Sequence, residues 1–165
     1  MKIDYLFIDT EFNSYHGDLL SIALIPYDDF DPRRLYLQCD PPPPNIDPWV
    51  AENVMPHIEQ PPPLPFEVET LPFADIQERL AEYLEGFRGP LCIIADWPSD
   101  IEWFLKLVDV GPGKVPDSAY RPITFHCWCG MFGGAKSALP HHAWFDAVAN
   151  RDWAKTAGMI LEYSR

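Results

Sequence analysis

The apolar run Tyr5-Leu6-Phe7-Ile8, halting at Asp9-Thr10-Glu11, leaves this chain few ways to fold. Such a run reads as a buried strand over residues 3–9 that stops at the acids. Side chains alternate along a strand, so Asp-x-Glu turns both carboxylates to one face. Two acids on one face repel, and burying them is costly without a neutralising cation. Alone, the pair fits a solvated strand end. It has distant company in Asp96-Trp97-Pro98-Ser99-Asp100 and in His141-His142-Ala143-Trp144-Phe145-Asp146-Ala147. Acids and a histidine gathered from three such segments point to a divalent-metal site.

The remaining elements follow in a telling order. Residues 19–26 read as a second strand after a Gly17-Asp18 turn, and 34–38 as a third, together an antiparallel meander. Residues 73–87 carry apolar side chains at helical spacing and stop near Gly86 and Gly89. Leu91–Ala95 is a fourth strand, Ser99 caps a helix over 100–109 with Glu102 at the capping-box position, and Ile123–His126 is a fifth strand. A helix over 143–163 closes the chain with Asp146 in its first turn. Three antiparallel strands followed by alternating helices and strands predict an α/β fold with a five-stranded mixed sheet flanked by helices. No repeat or boundary interrupts it, so residues 1–165 read as one domain. Pro41–Pro44 and the proline-rich 61–65 bracket a short apolar segment from Trp49 to Met55. That pattern predicts a stiff rim loop holding a short helix, with a proline-motif ligand for a partner domain as the alternative.

Composition limits the partners. With 47% hydrophobic and 14% aromatic residues the chain is expected to be globular, and no apolar run is long enough for a bilayer. The chain enters its first strand without a signal-peptide pattern, so a cytoplasmic location is the expectation. Cys39, Cys92, Cys127 and Cys129 have no disulfide-framework spacing and read as reduced thiols. Cys127-Trp128-Cys129 also lacks the spacing and the second pair that structural zinc needs. Against 25 acids stand 12 lysines and arginines, a net charge of −13 that repels long duplexes and leaves short single strands or 3′ ends as the fitting nucleic acids.

Asp9-x-Glu11, Asp100 followed by Ile-Glu-Trp-Phe-Leu, and His141-x-Ala143-x-x-Asp146-Ala147 resemble the three motifs of the DEDDh 3′–5′ exonucleases, in order and across residues 9–147. That superfamily includes proofreading subunits, ribonuclease T and oligoribonuclease. The stretch Trp49-Val50-x-x-x-Val54-x-Pro56 is similar to a small bacterial subgroup of 3′–5′ exoribonucleases. The resemblance implies a ribonuclease H-like fold and a metal-dependent exonuclease, an exoribonuclease by the subgroup, that releases nucleoside 5′-monophosphates from single-stranded or overhanging RNA or DNA 3′ ends. It also implies homodimerisation. Asp9 would bridge two Mg²⁺ or Mn²⁺ ions, Glu11 and Asp146 would complete the first metal site, and Asp100 would hold the second ion directly or through water. His141 would be the general base, with His142 next in line. Two positions depart from the second motif: Asp96 stands where the family usually has Asn, and Ser99 where it has an aromatic residue.

Phe12, Trp97 and Trp144 flank the acids and are candidates for stacking on a terminal base. Arg121, Lys136, Arg151 and Lys155 are candidate phosphate contacts, whereas His16, His57 and His126 read as structural or surface residues. Two other readings stand beside the exonuclease. One is a catalytically weak module of the same fold that binds 3′ ends or a protein partner; the other is a hydrolase of small phosphoesters. The choice of RNA or DNA depends on contacts to the 2′-hydroxyl.

Overall fold

The first strand does not stop at the acids. In the computed structural model, which describes residues 2–160 except 64, 112, 113, 120 and 132, β1 spans Asp4–Phe12 and carries Asp9 and Glu11 inside it. The acids remain in the strand because β2 (Leu19–Pro26) pairs with it beyond them, with Asp9 opposite Ala23 and Glu11 opposite Ser21. The turn between these strands requires glycine: a Cβ on Gly17 would lie 1.4 Å from the Asn13 carbonyl oxygen.

β3 (Leu35–Cys39) continues the antiparallel meander, and every residue of β2, enclosed between β1 and β3, is buried. The sheet has six strands, not five. The additional strand, β4 (Glu69–Leu71), pairs in parallel with the outer edge of β3. Three residues behind a proline-rich tract carry too little alternation to reveal a strand. β5 (Leu91–Ala95) and β6 (Ile123–Cys127) extend the other side in parallel, giving the order β4-β3-β2-β1-β5-β6.

Helices cover both faces. α3 (Phe73–Glu85) buries Ile76, Leu80, Tyr83 and Leu84, a stripe at helical spacing. It packs beside α4 (Pro98–Val108), and together with Leu6, Ile8 and Phe104 they form the larger core cluster. On the opposite face α5 (Ala143–Thr156) sets Trp144, Ala147 and Ala154 against Phe7, Ala23 and Ile94. The last helix thus ends before 163; residues 161–165 lie outside the described residues. Between the proline tracts are two short helices, α1 (Pro48–Asn53) and α2 (Met55–Ile58); Val50 and Ile58, with Val54 at the junction of the two, cluster around Leu20. α4 begins earlier than expected. Pro98 occupies its first turn and Trp97, not Ser99, is the cap, since proline's fixed φ starts a helix readily. Among the described residues no helix is long and apolar enough to cross a membrane.

Candidate metal centre

The parting of two strands creates the site. β1 and β5 pair from Asp4–Leu91 to Phe7–Ile94 and no further, so the edge of β1 beyond Phe7 faces no strand on that side. The first turn of α4 fills the gap. Asp100 accepts hydrogen bonds on Oδ1 from the Thr10 backbone N–H at 3.0 Å and from its hydroxyl at 2.6 Å. The carboxylate therefore replaces a missing strand partner. Its other oxygen, Oδ2, is buried with no hydrogen-bond partner.

From the other face of the sheet α5 brings Asp146, also in a helical first turn. Single carboxylate oxygens of Asp9, Glu11 and Asp146 lie within 4.8 Å of one another, as do those of Asp9, Asp96 and Asp100. The two triplets share Asp9. Asp96, one residue past β5, thus joins the second group.

Such crowding costs energy, and the proton affinities register it. Burial, then the charges of Asp100, Glu11, Asp146 and Asp96, hold Asp9 well above the usual carboxylate range. Burial and the same neighbouring acids push Glu11 up to about 8. Asp100 rises to about 7, again chiefly by burial, although the Thr10 hydroxyl pulls it down. Asp96 and Asp146 are also raised, both first by burial. The positive ends of the α4 and α5 dipoles offset part of the repulsion at Asp100 and Asp146. The cleft itself offers little counter-charge beyond His141 beside Asp146. It measures about 550 Å³ and is lined by six carboxylates, Asp47 among them, and by no described lysine or arginine. Overlapping triplets of hard oxygen donors with an orphaned buried oxygen fit divalent cations.

His141 stands on the cleft wall with its side chain exposed and its backbone in the left-handed region, at φ 61°. That conformation is costly for a residue with a side chain. Here it aims two successive backbone N–H groups, those of His141 and His142, at Asp146 Oδ2, at 3.0 and 3.3 Å. The two rings part company. His142 is fully buried, 4.8 Å from the Tyr36 ring, with Nε2 2.9 Å from the Gln60 carbonyl. His141 meets the edge of Trp49 at 5.4 Å. Trp49 is held in turn by Asp47, which caps α1, while Asn13 at the end of β1 accepts the Asp47 N–H at 2.7 Å.

The residues singled out by sequence divide accordingly. Asp9, Glu11, Asp100, Asp146, His141, Phe12 and Trp97 line one cleft. Trp144 does not: it is 3% exposed and packs against Phe66 at 5.0 Å. Arg121, Lys136, Arg151 and Lys155 lie off the cleft wall; Arg151 and Lys155 pair with Asp29. Thr10, Tyr15 and Trp49 also line the cleft, beyond the site residues that the sequence patterns single out. Thr10 stands between the two acids of β1, and its role emerges only from the contact with Asp100.

No protein-family model matches this chain, and no curated protein matches it in sequence.

Thr10→Val tests the clamp on Asp100. The variant is expected to fold and to raise the Asp100 pKa further, by about one unit, because a hydrogen bond to a charged group contributes roughly 1.5–3 kcal/mol. Carboxyl-carbon NMR across pH checks this, and an unmoved Asp100 would show that the hydroxyl does not hold the charged form.

Proposed function

We propose that the chain is a DEDDh-type 3′–5′ exonuclease with a ribonuclease H-like fold, akin to the small bacterial exoribonucleases and acting on single-stranded or overhanging RNA or DNA 3′ ends. The observation that carries this reading is the pair of carboxylate triplets meeting at Asp9, in a cleft with His141 on its rim and no described basic side chain. A phosphodiester carries negative charge, and six carboxylates alone would repel it. Asp9, Glu11 and Asp146 would hold one Mg²⁺ or Mn²⁺ ion, and Asp9 and Asp100, with Asp96 beside them, a second. When bound, such ions supply Lewis-acid stabilisation of phosphoryl oxygens and an acidified water.

The chain's own groups do the rest. His141, exposed at the rim, takes the proton of the attacking water as phosphorus–oxygen cleavage frees the 3′ oxygen and a nucleoside 5′-monophosphate departs. Its backbone bond to Asp146 ties its position to the same carboxylate group. The exposed Trp97, and Phe12 where it lines the cleft beside its core contacts, would stack on a terminal base. His141→Ala is expected to lose about 10²- to 10⁴-fold in turnover, the range of general-base contributions, while keeping Mn²⁺ affinity. Turnover unchanged from the parent would give the base role to another group.

The charge of −13 and the bare acidic cleft favour a second reading, a weakly catalytic module that binds 3′ ends or a partner. One experiment separates the two. A 5′-labelled RNA and its DNA twin, each with a single-stranded 3′ tail, are incubated with Mn²⁺, Mg²⁺ or EDTA. A metal-dependent ladder shortening from the 3′ end supports the exonuclease. Intact label, with the protein folded and Mn²⁺ bound by calorimetry, moves the assignment to the binding module or to a small phosphoester.

A further inference from the structure

A second group of reactive side chains lies beyond the carboxylates. The sulfur atoms of Cys127 and Cys129 are 3.1 Å apart, closer than unbonded sulfurs ordinarily pack, and both residues are exposed. The residue between them explains the arrangement. Trp128 is 7% exposed, its ring meets the Phe7 ring in a T-shaped contact at 6.2 Å, and its backbone N–H donates to the Ala95 carbonyl at 2.9 Å. With Trp128 pinned inward at the end of β6, both flanking thiols are left facing solvent. The chain then turns at once: Met131 N–H donates to the Trp128 carbonyl at 2.9 Å, and Gly130 adopts φ +72° with open space where a Cβ would stand. Rotation about the Cα–Cβ bonds of the two cysteines closes the remaining distance, and the glycine just beyond them can absorb the accompanying backbone change.

We propose that Cys127 and Cys129 form a reversible two-electron redox site, oxidised to an intramolecular disulfide by a peroxide or a low-molecular-weight disulfide. With hydrogen peroxide, the thiolate of one cysteine attacks an oxygen, the O–O bond breaks, and a sulfenic acid and one water result. The second thiol attacks that sulfur, the S–S bond forms, and a second water leaves; two thiols and one peroxide become one disulfide and two waters. With glutathione disulfide, two successive exchanges release two glutathione thiols. Neither Cys39, half-buried, nor Cys92, buried, has a cysteine partner among the described residues. The pair is also well placed to be felt: Cys127 is in register with Ala95, and the next residue is Asp96 of the carboxylate cleft.

The test uses the full reduced chain. It is exposed to hydrogen peroxide or glutathione disulfide, blocked with N-ethylmaleimide under denaturing conditions, digested and weighed. The expected peptide spanning 127–129 has lost two hydrogens and carries no label, while Cys39 and Cys92 remain labelled, and dithiothreitol restores two labelled thiols. Cys129→Ser is expected to trap glutathione on Cys127, and Cys127→Ser to trap it on Cys129, because no second thiol resolves the adduct. Full labelling of both residues after oxidant, a bridge to Cys39, Cys92 or another molecule, or irreversible sulfinic and sulfonic products alone would each overturn the proposal. None of these readouts depends on nuclease activity.

Discussion

Asp9→Ala is expected to fold, to melt above the parent protein in EDTA, and to bind no divalent cation at either carboxylate triplet. Asp9 is the member the triplets share, so its loss leaves two carboxylates on each side rather than three. It is also only 9% exposed, and its charged form is opposed by burial and by four neighbouring acids. Removing it relieves that repulsion. A gain of about 1–2 kcal/mol, the scale of one pKa unit or slightly more, corresponds to about 2–4 °C per kcal/mol in a domain of this size. Activity is expected to fall by at least about 10²- to 10³-fold, the effect of deleting one preorganised electrostatic group. Calorimetry with Mn²⁺ and thermal melts in EDTA measure both. A lower melting temperature in EDTA would instead make the Asp9 carboxyl a structural element. Asp9→Asn, which keeps the shape, separates loss of charge from loss of packing.

The cation-free protein is expected to lose stability as pH rises from about 6.5 to about 8, and saturating Mn²⁺ to abolish that loss. Glu11 moves from an ordinary 4.5 to about 8 and Asp100 from 3.8 to about 7. In this window the unfolded chain has already released these protons while the folded chain retains them. The folded state therefore binds more protons, and its advantage falls as pH rises through the folded values. Below about pH 6.5 His142 acts in the opposite sense. Burial lowers its pKa, so the unfolded chain takes up the proton first and acid erodes stability. The carboxylate effect is consequently read above the ordinary histidine value of 6.5. Each pKa unit carries about 1.4 kcal/mol, and the acids titrate as a coupled group, so a drop of several degrees is expected rather than a sum over residues. Cations bind the deprotonated oxygens and expel the shared protons. Melts across pH in EDTA and in Mn²⁺ provide the comparison; a flat cation-free profile would mean the acids are better solvated than their packing indicates.

The central strand, the last helix and five of the clustered polar residues were legible in sequence because each rests on a short-range pattern. An apolar run ending in Asp-x-Glu identifies β1, and the motif from His141 to Ala147 puts Asp146 in the first turn of the last helix. Residues whose positions depend on how elements meet were harder to read. Trp144 and Trp97 look equivalent beside their acids. Yet Trp144 is two positions before Asp146 on a helix, which turns the two side chains to opposite sides, whereas Trp97 caps α4 at the cleft mouth. Alternation along β1 turns Thr10 away from Asp9, and nothing local reveals that β5 diverges and lets Asp100 reach Thr10 around the strand edge. The choice between adjacent histidines depends on one backbone angle at His141. β4 is recognisable only by its partner, since three residues hold no period of their own.

The Thr10–Asp100 contact joins residues 90 positions apart, and Asp146 reaches the same carboxylates from the far end of the chain. The centre therefore has no local existence: no hairpin or single helix–strand unit contains all of its carboxylates. Anything gripped by both triplets is bound by the cooperative unit as a whole. Its binding free energy is added to the global opening reaction, slowing amide exchange in β1, β2 and β5 together rather than in a patch around the ligand.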